Sequence, residues 1–203
     1  MLENVKWLGH SAIKISGKKT IFIDPFQLKS GDSADLILIT HDHYDHLSVS
    51  DIEKIRTPKT TIVVPALIKT HLQGNIYKIH IGDILTFDTV VIEAVPAHNL
   101  QKSYHPRANH NVGYLITMGG VRYYHAGDTD LIPEMNKLSC DIAFLPIGGI
   151  YTMSAADAAR AAELIRPKLA VPIHYGSVVG SPADAQKFKD ICSCKVVILS
   201  QGV

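Results

Sequence analysis

The run His41-Asp42-His43-Tyr44-Asp45-His46 constrains this chain more than any other feature. It sets three imidazoles and two carboxylates directly behind the apolar run Leu36-Ile37-Leu38-Ile39-Thr40. A strand that ends in such a cluster delivers metal ligands from a rigid element into a turn. Imidazole together with carboxylate suits zinc, iron or manganese rather than calcium or copper(I). No ordinary folding requirement gathers so many ligands, so the chain is expected to fold around a metal site at this strand end.

The 203 residues are enough for one good core and short for two. A single domain over residues 1–203 is therefore expected. The formal charge is +1 and basic residues run no further than short pairs such as Lys18-Lys19, which argues against a nucleic-acid partner. No apolar stretch approaches membrane-spanning length, and the start Met1-Leu2-Glu3-Asn4-Val5-Lys6 does not read as a signal peptide. The cysteines, Cys140, Cys192 and Cys194, do not form a disulfide framework, so a cytoplasmic location is expected. Cys192 and Cys194 lie far in sequence from every other ligand, and packing is the preferred role for them.

Short β-branched runs bounded by Gly, Pro or Asp predict strands over 19–24, 36–40, 61–64, 76–79 and 90–95. The second half repeats the style, with strands expected over 113–117, 121–125, 142–146, 169–173 and 195–199. Helices are expected after Ser50, with Glu53 completing a capping box, and over 66–73, closed by Gly74. Further helices are expected over 132–137, 155–165 and 182–191, the last two started by Ser154 with Asp157 and by Ser181 with Pro182. Two halves, each strand-rich and then helical, predict two sheets packed face to face with helices outside. The longest segment without periodicity is 97–111.

Other candidate ligands also follow strands. His98 comes after 90–96, His125 and Asp128 close the strand at 121–124, and His174 follows 169–173. Gathering these strand ends at one edge would assemble His41, His43, Asp45, His46, His98, Asp128 and His174. That set exceeds the needs of one tetrahedral ion and is enough for two bridged by a carboxylate.

These motifs resemble the metallo-β-lactamase superfamily over nearly the whole chain: a His-x-His-x-Asp-His turn, a later lone His, a Gly-Asp-Thr and a final His. The strings Trp7-Leu8-Gly9-His10-Ser11, Ile23-Asp24-Pro25, His125-Ala126-Gly127-Asp128-Thr129, Tyr151-Thr152-Met153 and Pro172-Ile173-His174-Tyr175-Gly176 are similar to small metal-dependent hydrolases related to bacterial ascorbate-6-phosphate lactonase. The resemblance implies an α/β fold, a four-layer αββα sandwich. It implies one ion held by His41, His43 and His98, a second by Asp45, His46 and His174, and Asp128 bridging them. Zinc comes first, with manganese or iron open to the same donors. It also implies a tendency to associate as a homo-oligomer.

Two divalent ions bring four positive charges, of which Asp45, Asp128 and a bridging hydroxide cancel three. The remaining charge favours a small anionic substrate or an anionic transition state. Hydrolysis of an ester, lactone, amide or phosphodiester fits, with Asp45 placed to hold or deprotonate the nucleophile. Asp24 is a candidate to orient a ligating imidazole, His10 to face the site, and His125 to back it. Tyr151 is placed to orient substrate. Arg107, in the loop after His98, could grip a phosphate or carboxylate, although a solvated loop is the preferred reading of that segment. His71 and His80 are not expected to be ligands.

Three other readings compete. A nuclease or phosphodiesterase of the superfamily resembles proteins that carry an inserted domain or RNA-binding arm, for which this chain has no room. Diiron oxygen reducers replace the second His of the turn with Glu, whereas His43 is present here. A metal-stabilised binding protein without turnover is the alternative from a different class.

Overall fold

The computed structural model describes residues 1–29 and 31–202. Its first sheet consists of β1 (Val5–Gly9), β2 (Ala12–Ile15), β3 (Ile21–Ile23), β4 (Leu36–Leu38), β5 (Thr61–Pro65) and β6 (Asn75–Ile79), side by side in chain order. The first three strands pair antiparallel and the rest parallel. The second sheet holds β7 (Ile84–Phe87), β8 (Val90–Pro96), β9 (Val112–Met118), β10 (Val121–His125), β11 (Ile142–Pro146) and β12 (Leu169–Ile173), again in chain order. It is antiparallel as far as β10 and parallel from β10 to β12. Helices α1 (Val49–Ile55), α2 (Ala155–Ile165) and α3 (Pro182–Ile191) complete the αββα sandwich.

Strand periodicity explains the layers. Ile13, Ile15, Ile21, Ile23, Leu36, Leu38 and Val63 join one core with Val90, Ile92, Tyr114 and Ile116 of the facing sheet. The alternate residues Phe22, Ile37, Ile62 and Val64 join a second core with Ile52 and Ile55 of α1. Strands β3 to β5 are thus buried on both faces, which is why they read as continuous apolar runs. Helix α2 is alanine-rich on its buried side, so it lies close to β11 and α3. None of the described helices is long and apolar enough to cross a membrane.

Several local expectations change. Residues 66–73 are a turn and extended chain, not a helix. The Ala66 N–H donates to the Ile79 carbonyl, so its backbone is committed to the neighbouring strand, and an isolated eight-residue helix is marginal in any case. Helix α1 is capped by Ser48 rather than Ser50: Ser48 Oγ accepts from the Asp51 N–H. Residues 133–137 form a 3₁₀ turn, shorter than the helix expected at 132–137. Around 195–199 the chain makes only an isolated bridge at Val196. Strands β1, β2 and β7 were not among the expected elements. The Ser154 cap forms as expected, and at the start of α3 the Ser181 N–H and hydroxyl both donate to Asp184 Oδ2. The cysteine thiols are free, and Cys192 and Cys194 pack against the main core.

The two sheets are tied together at one end. The Val112 N–H donates to the Thr40 carbonyl (3.1 Å), the His174 N–H donates to the His10 carbonyl (2.8 Å), and the buried Tyr114 hydroxyl donates to the Ile39 carbonyl (2.7 Å). Gly127 sits under this junction with φ +62°; a Cβ there would lie 2.9 Å from the Val112 oxygen and 3.1 Å from Thr40 Cβ. Gly127→Ala should therefore cost roughly 1–3 kcal/mol and lower Tm by about 3–10 °C in a domain of this size. Scanning calorimetry checks this; an unchanged Tm would show that the junction tolerates a side chain there.

Candidate metal centre

The site forms where β3, β4, β10 and β12 end. Asp24 and His174 directly follow β3 and β12, while the 41–46 turn and Asp128 come three residues after the last residues of β4 and β10. His10, in the turn between β1 and β2, joins them. Three of these residues, His10 (φ +48°), Asp24 (φ +46°) and His174 (φ +59°), hold the left-handed conformation, which side chains other than glycine adopt at a cost. The loops leave the strands sharply and turn their side chains inward.

Ligand atoms gather in overlapping sets. His41, His43 and His105 form one; His10, Asp45, His46 and His174 form another; Asp128 meets His41 and His46 in a third. Asp128 lies between the first two. Its Oδ2 is 3.4 Å from His105 Nε2 and 3.0 Å from His174 Nε2, and its Oδ1 is 3.3 Å from His46 Nε2. On the far side, His105 Nε2 is 3.2 Å from His43 Nδ1.

Hydrogen bonds set which imidazole nitrogen is free. Asp24 Oδ2 accepts from His46 Nδ1 (2.7 Å) and from the Thr40 hydroxyl (2.7 Å). That hydroxyl, its proton given away, accepts from His41 Nδ1 at 3.0 Å. Asn99 Oδ1 accepts from the His105 N–H (3.0 Å) and from His105 Nδ1 (3.2 Å). His41 and His105 therefore each turn a bare Nε2 toward the centre, and His46 turns there the Nε2 that must give up its proton to hold an ion. His41 Nε2, His46 Nε2 and Asp128 Oδ1 are buried without a hydrogen-bond partner. Buried polar atoms are normally satisfied, so a converging set of orphaned donors of this kind fits divalent ions.

The electrostatics agree. Burial, with repulsion from His46, holds His41 well below the usual imidazole range. Burial likewise lowers His105 to about 4 despite the nearby Asp128. Both rings are neutral, as ligation requires. Burial would raise Asp128 and Asp45, but neighbouring imidazoles overcome it. His174 and His46 pull Asp128 well below its usual range, and the hydrogen bond from His10 Nε2 (2.9 Å) helps bring Asp45 to about 2. Burial would also lower His46, yet Asp128, Asp24 and Asp45 outweigh it and raise that ring to about 9.

His98 is not in the cluster. Its N–H donates to Thr129 Oγ1 and its carbonyl accepts from the Asp130 N–H, which pins the backbone beside the Asp128 loop. The ring faces a separate cavity of about 650 Å³, shared with His80, Arg107 and His110. The loop then folds back, closed by the Asn99 N–H to the His105 carbonyl (2.8 Å), and carries His105 into the place expected for His98. Arg107 does not reach the centre either; its guanidinium is exposed and pairs with Glu134 at 3.0 Å. His125 backs the site without touching a ligand: its Nε2 donates to the Ser11 carbonyl and its Nδ1 accepts from the Gly127 N–H. His10 and Asp24 lie where the sequence placed them, and Tyr151 lines the cleft above the centre.

A fold of two mixed sheets with His and Asp ligands at their shared edge defines a class, and comparison with known proteins bears this out. The chain belongs to the β-lactamase superfamily, whose domain model matches residues 4–174. Within it, the chain is 38% identical to a UPF0173 metal-dependent hydrolase of Thermococcus kodakarensis, over 99% of this chain and 98% of that one. A Pyrococcus furiosus relative of the same description is 36% identical, with equal coverage. Among solved structures, a metallo hydrolase of Ignicoccus hospitalis is 27% identical with a TM-score of 0.83, covering 98% of this chain and 95% of that one.

Two measurements test the centre. His105→Ala should lower metal content by about one ion per chain, whereas His98→Ala should leave it unchanged; elemental mass spectrometry reads both. The opposite pattern would return the ligand role to His98. In the metal-free protein His46 keeps its proton up to about pH 9, and an ion must displace it. Metal uptake should therefore release protons, and apparent affinity should climb up to about tenfold per pH unit toward 9. By the same linkage, the metal-free fold gains stability from that proton, fully below about pH 6.5, and loses it as pH rises through 9. Calorimetry in buffers of different ionisation enthalpy reads the proton release.

Proposed function

We propose that the protein is a dinuclear metal-dependent hydrolase that cleaves an ester, lactone or phosphoester bond in a small molecule. The observation that carries this is the two-lobed set of converging His and Asp ligand atoms meeting at Asp128, with His41 Nε2, His46 Nε2 and Asp128 Oδ1 buried and unpartnered within it. The full-length relatives named as metal-dependent hydrolases support it. His41, His43 and His105 would hold one ion, Asp45, His46 and His174 the other, with Asp128 between. Zinc is the first choice for so imidazole-rich a set, and manganese or iron suit the same donors.

Such ions, when bound, bring the pKa of coordinated water toward neutrality and polarise an attacked carbonyl or phosphoryl oxygen. The chain's own residues do the positioning. Asp45 lines the cleft and stays ionised at neutral pH, being lowered to about 2. A carboxylate that acidic is a weak base, so its role is to accept a hydrogen bond and orient the attacking water. His10 fixes that carboxylate by donating from Nε2. Asp24, Thr40 and Asn99 fix the imidazoles and so the spacing of the lobes. Asp45 and Asp128 offset only part of the ions' charge, which favours negative charge developing on the reacting group.

The test is metal content beside turnover. Freshly purified protein should carry about two divalent ions per chain and hydrolyse an activated ester, lactone or phosphodiester. Asp128→Asn should lower kcat by about 100-fold or more. A fully metallated chain that turns over none of these substrates would instead be a metal-stabilised binding protein.

A further inference from the structure

The mouth of the site is built differently from its floor. The cleft above the metal centre encloses about 450 Å³, which suits one small organic molecule. Its floor is His43, Asp45, His105, Asp128 and His174; its rim is Tyr44, Tyr104, Tyr151 and Val178. Tyr44 is 68% exposed and Tyr104 46% exposed, which is more aromatic surface than an idle rim would leave in water. The tyrosines are braced. Tyr104 meets Tyr151 edge to face at 4.7 Å, and Tyr44 meets Phe26 at 5.9 Å in the same geometry.

Among the described residues no Lys or Arg lines this cleft. The two cations of the adjoining loop are spent elsewhere. Lys102 Nζ donates to Asp130 Oδ1 (2.5 Å) and the Thr152 carbonyl (2.6 Å), and Arg107 pairs with Glu134. The charged side chain at the mouth is Asp42, which is exposed and repels anions. A phosphate or carboxylate remote from the reacting bond would find an acidic group and no cationic partner.

We propose that the substrate is a neutral ester or lactone with an aryl or comparably flat apolar body. Its carbonyl faces the metal centre and its body lies against Tyr44, Tyr104 and Tyr151. This rests on the hydrolase function proposed above and narrows it: negative charge is accommodated only at the reacting group, not on the rest of the molecule. Asn99 links the two parts, because its Nδ2 donates to the Tyr151 carbonyl (2.9 Å) while its Oδ1 holds His105. The rim and a metal ligand thus share one buried side chain.

The experiment compares phenyl acetate with 4-acetoxybenzoate, the same ester bearing a remote carboxylate, on zinc-loaded protein. The wild type should favour phenyl acetate by at least about tenfold in kcat/KM. Tyr104→Ala should lower kcat/KM for phenyl acetate by about tenfold, chiefly through KM, with metal content intact; Tyr104→Phe should keep most of it. Binding of the unreactive probes benzamide and acetamide, by titration calorimetry, provides a readout independent of turnover. Benzamide should bind about tenfold or more tighter, and Tyr104→Ala should erase the difference. Equal or better turnover of 4-acetoxybenzoate would overturn the proposal, as would a Tyr104→Ala loss shared equally by both esters. Absence of turnover on every ester and lactone tested, with benzamide still preferred, would sink the hydrolase function while leaving the aryl site standing. Turnover without any aryl preference would do the reverse.

Discussion

Asp24 is the residue on which the candidate metal centre depends. It is fully buried, follows β3, precedes Pro25 and holds the left-handed conformation. From there its carboxylate accepts three hydrogen bonds: from the Thr40 N–H, the Thr40 hydroxyl and His46 Nδ1. A buried carboxylate is costly unless so satisfied. The arrangement uses that requirement to fix two imidazoles at once, His46 directly and His41 through the Thr40 hydroxyl. One side chain that follows β3 thereby orients the rings of candidate ligands that follow β4 in the same sheet.

How much of this was legible in the sequence depends on how local each part is. The 41–46 turn declared itself because its ligands are contiguous and follow a β-branched strand. His174 could be found because it comes directly after β12, and Asp128 because it lies three residues past the end of β10. The paired sheets followed from two similar halves, although β1, β2 and β7 escaped notice, the last being half exposed. His105 was the hard case. It lies in the 97–111 segment, where no period marks which side chain turns inward, and His98 stood nearer to a strand end. The deciding interactions, Asp130 to the His98 carbonyl and Asn99 to His105, join residues with no pattern between them. The residual hint was Pro106, which restricts His105 to extended backbone.

Charge counting and cleft chemistry carry different information. The sum over ions and carboxylates concerns the floor alone, where it favours negative charge at the reacting group. It says nothing of the walls, which depend on where Lys102 and Arg107 find their partners. Both pair away from the cleft, with Asp130 and Glu134. The candidate ligands of the floor and the tyrosines of the rim are thus separate groups of residues.

The closed ring between Asn99 and His105 bears on how such a protein can diversify. The ligand is held by the ring's own backbone and by one amide, not by the residues at its tip. Leu100, exposed in the ring, and Tyr104, exposed beside the ligand, are free of that duty. Evolution can therefore exchange the surface offered to substrates, one residue away from His105, while the metal-binding geometry stays as it was. Neighbouring lineages can inherit one reaction centre and turn it to different molecules.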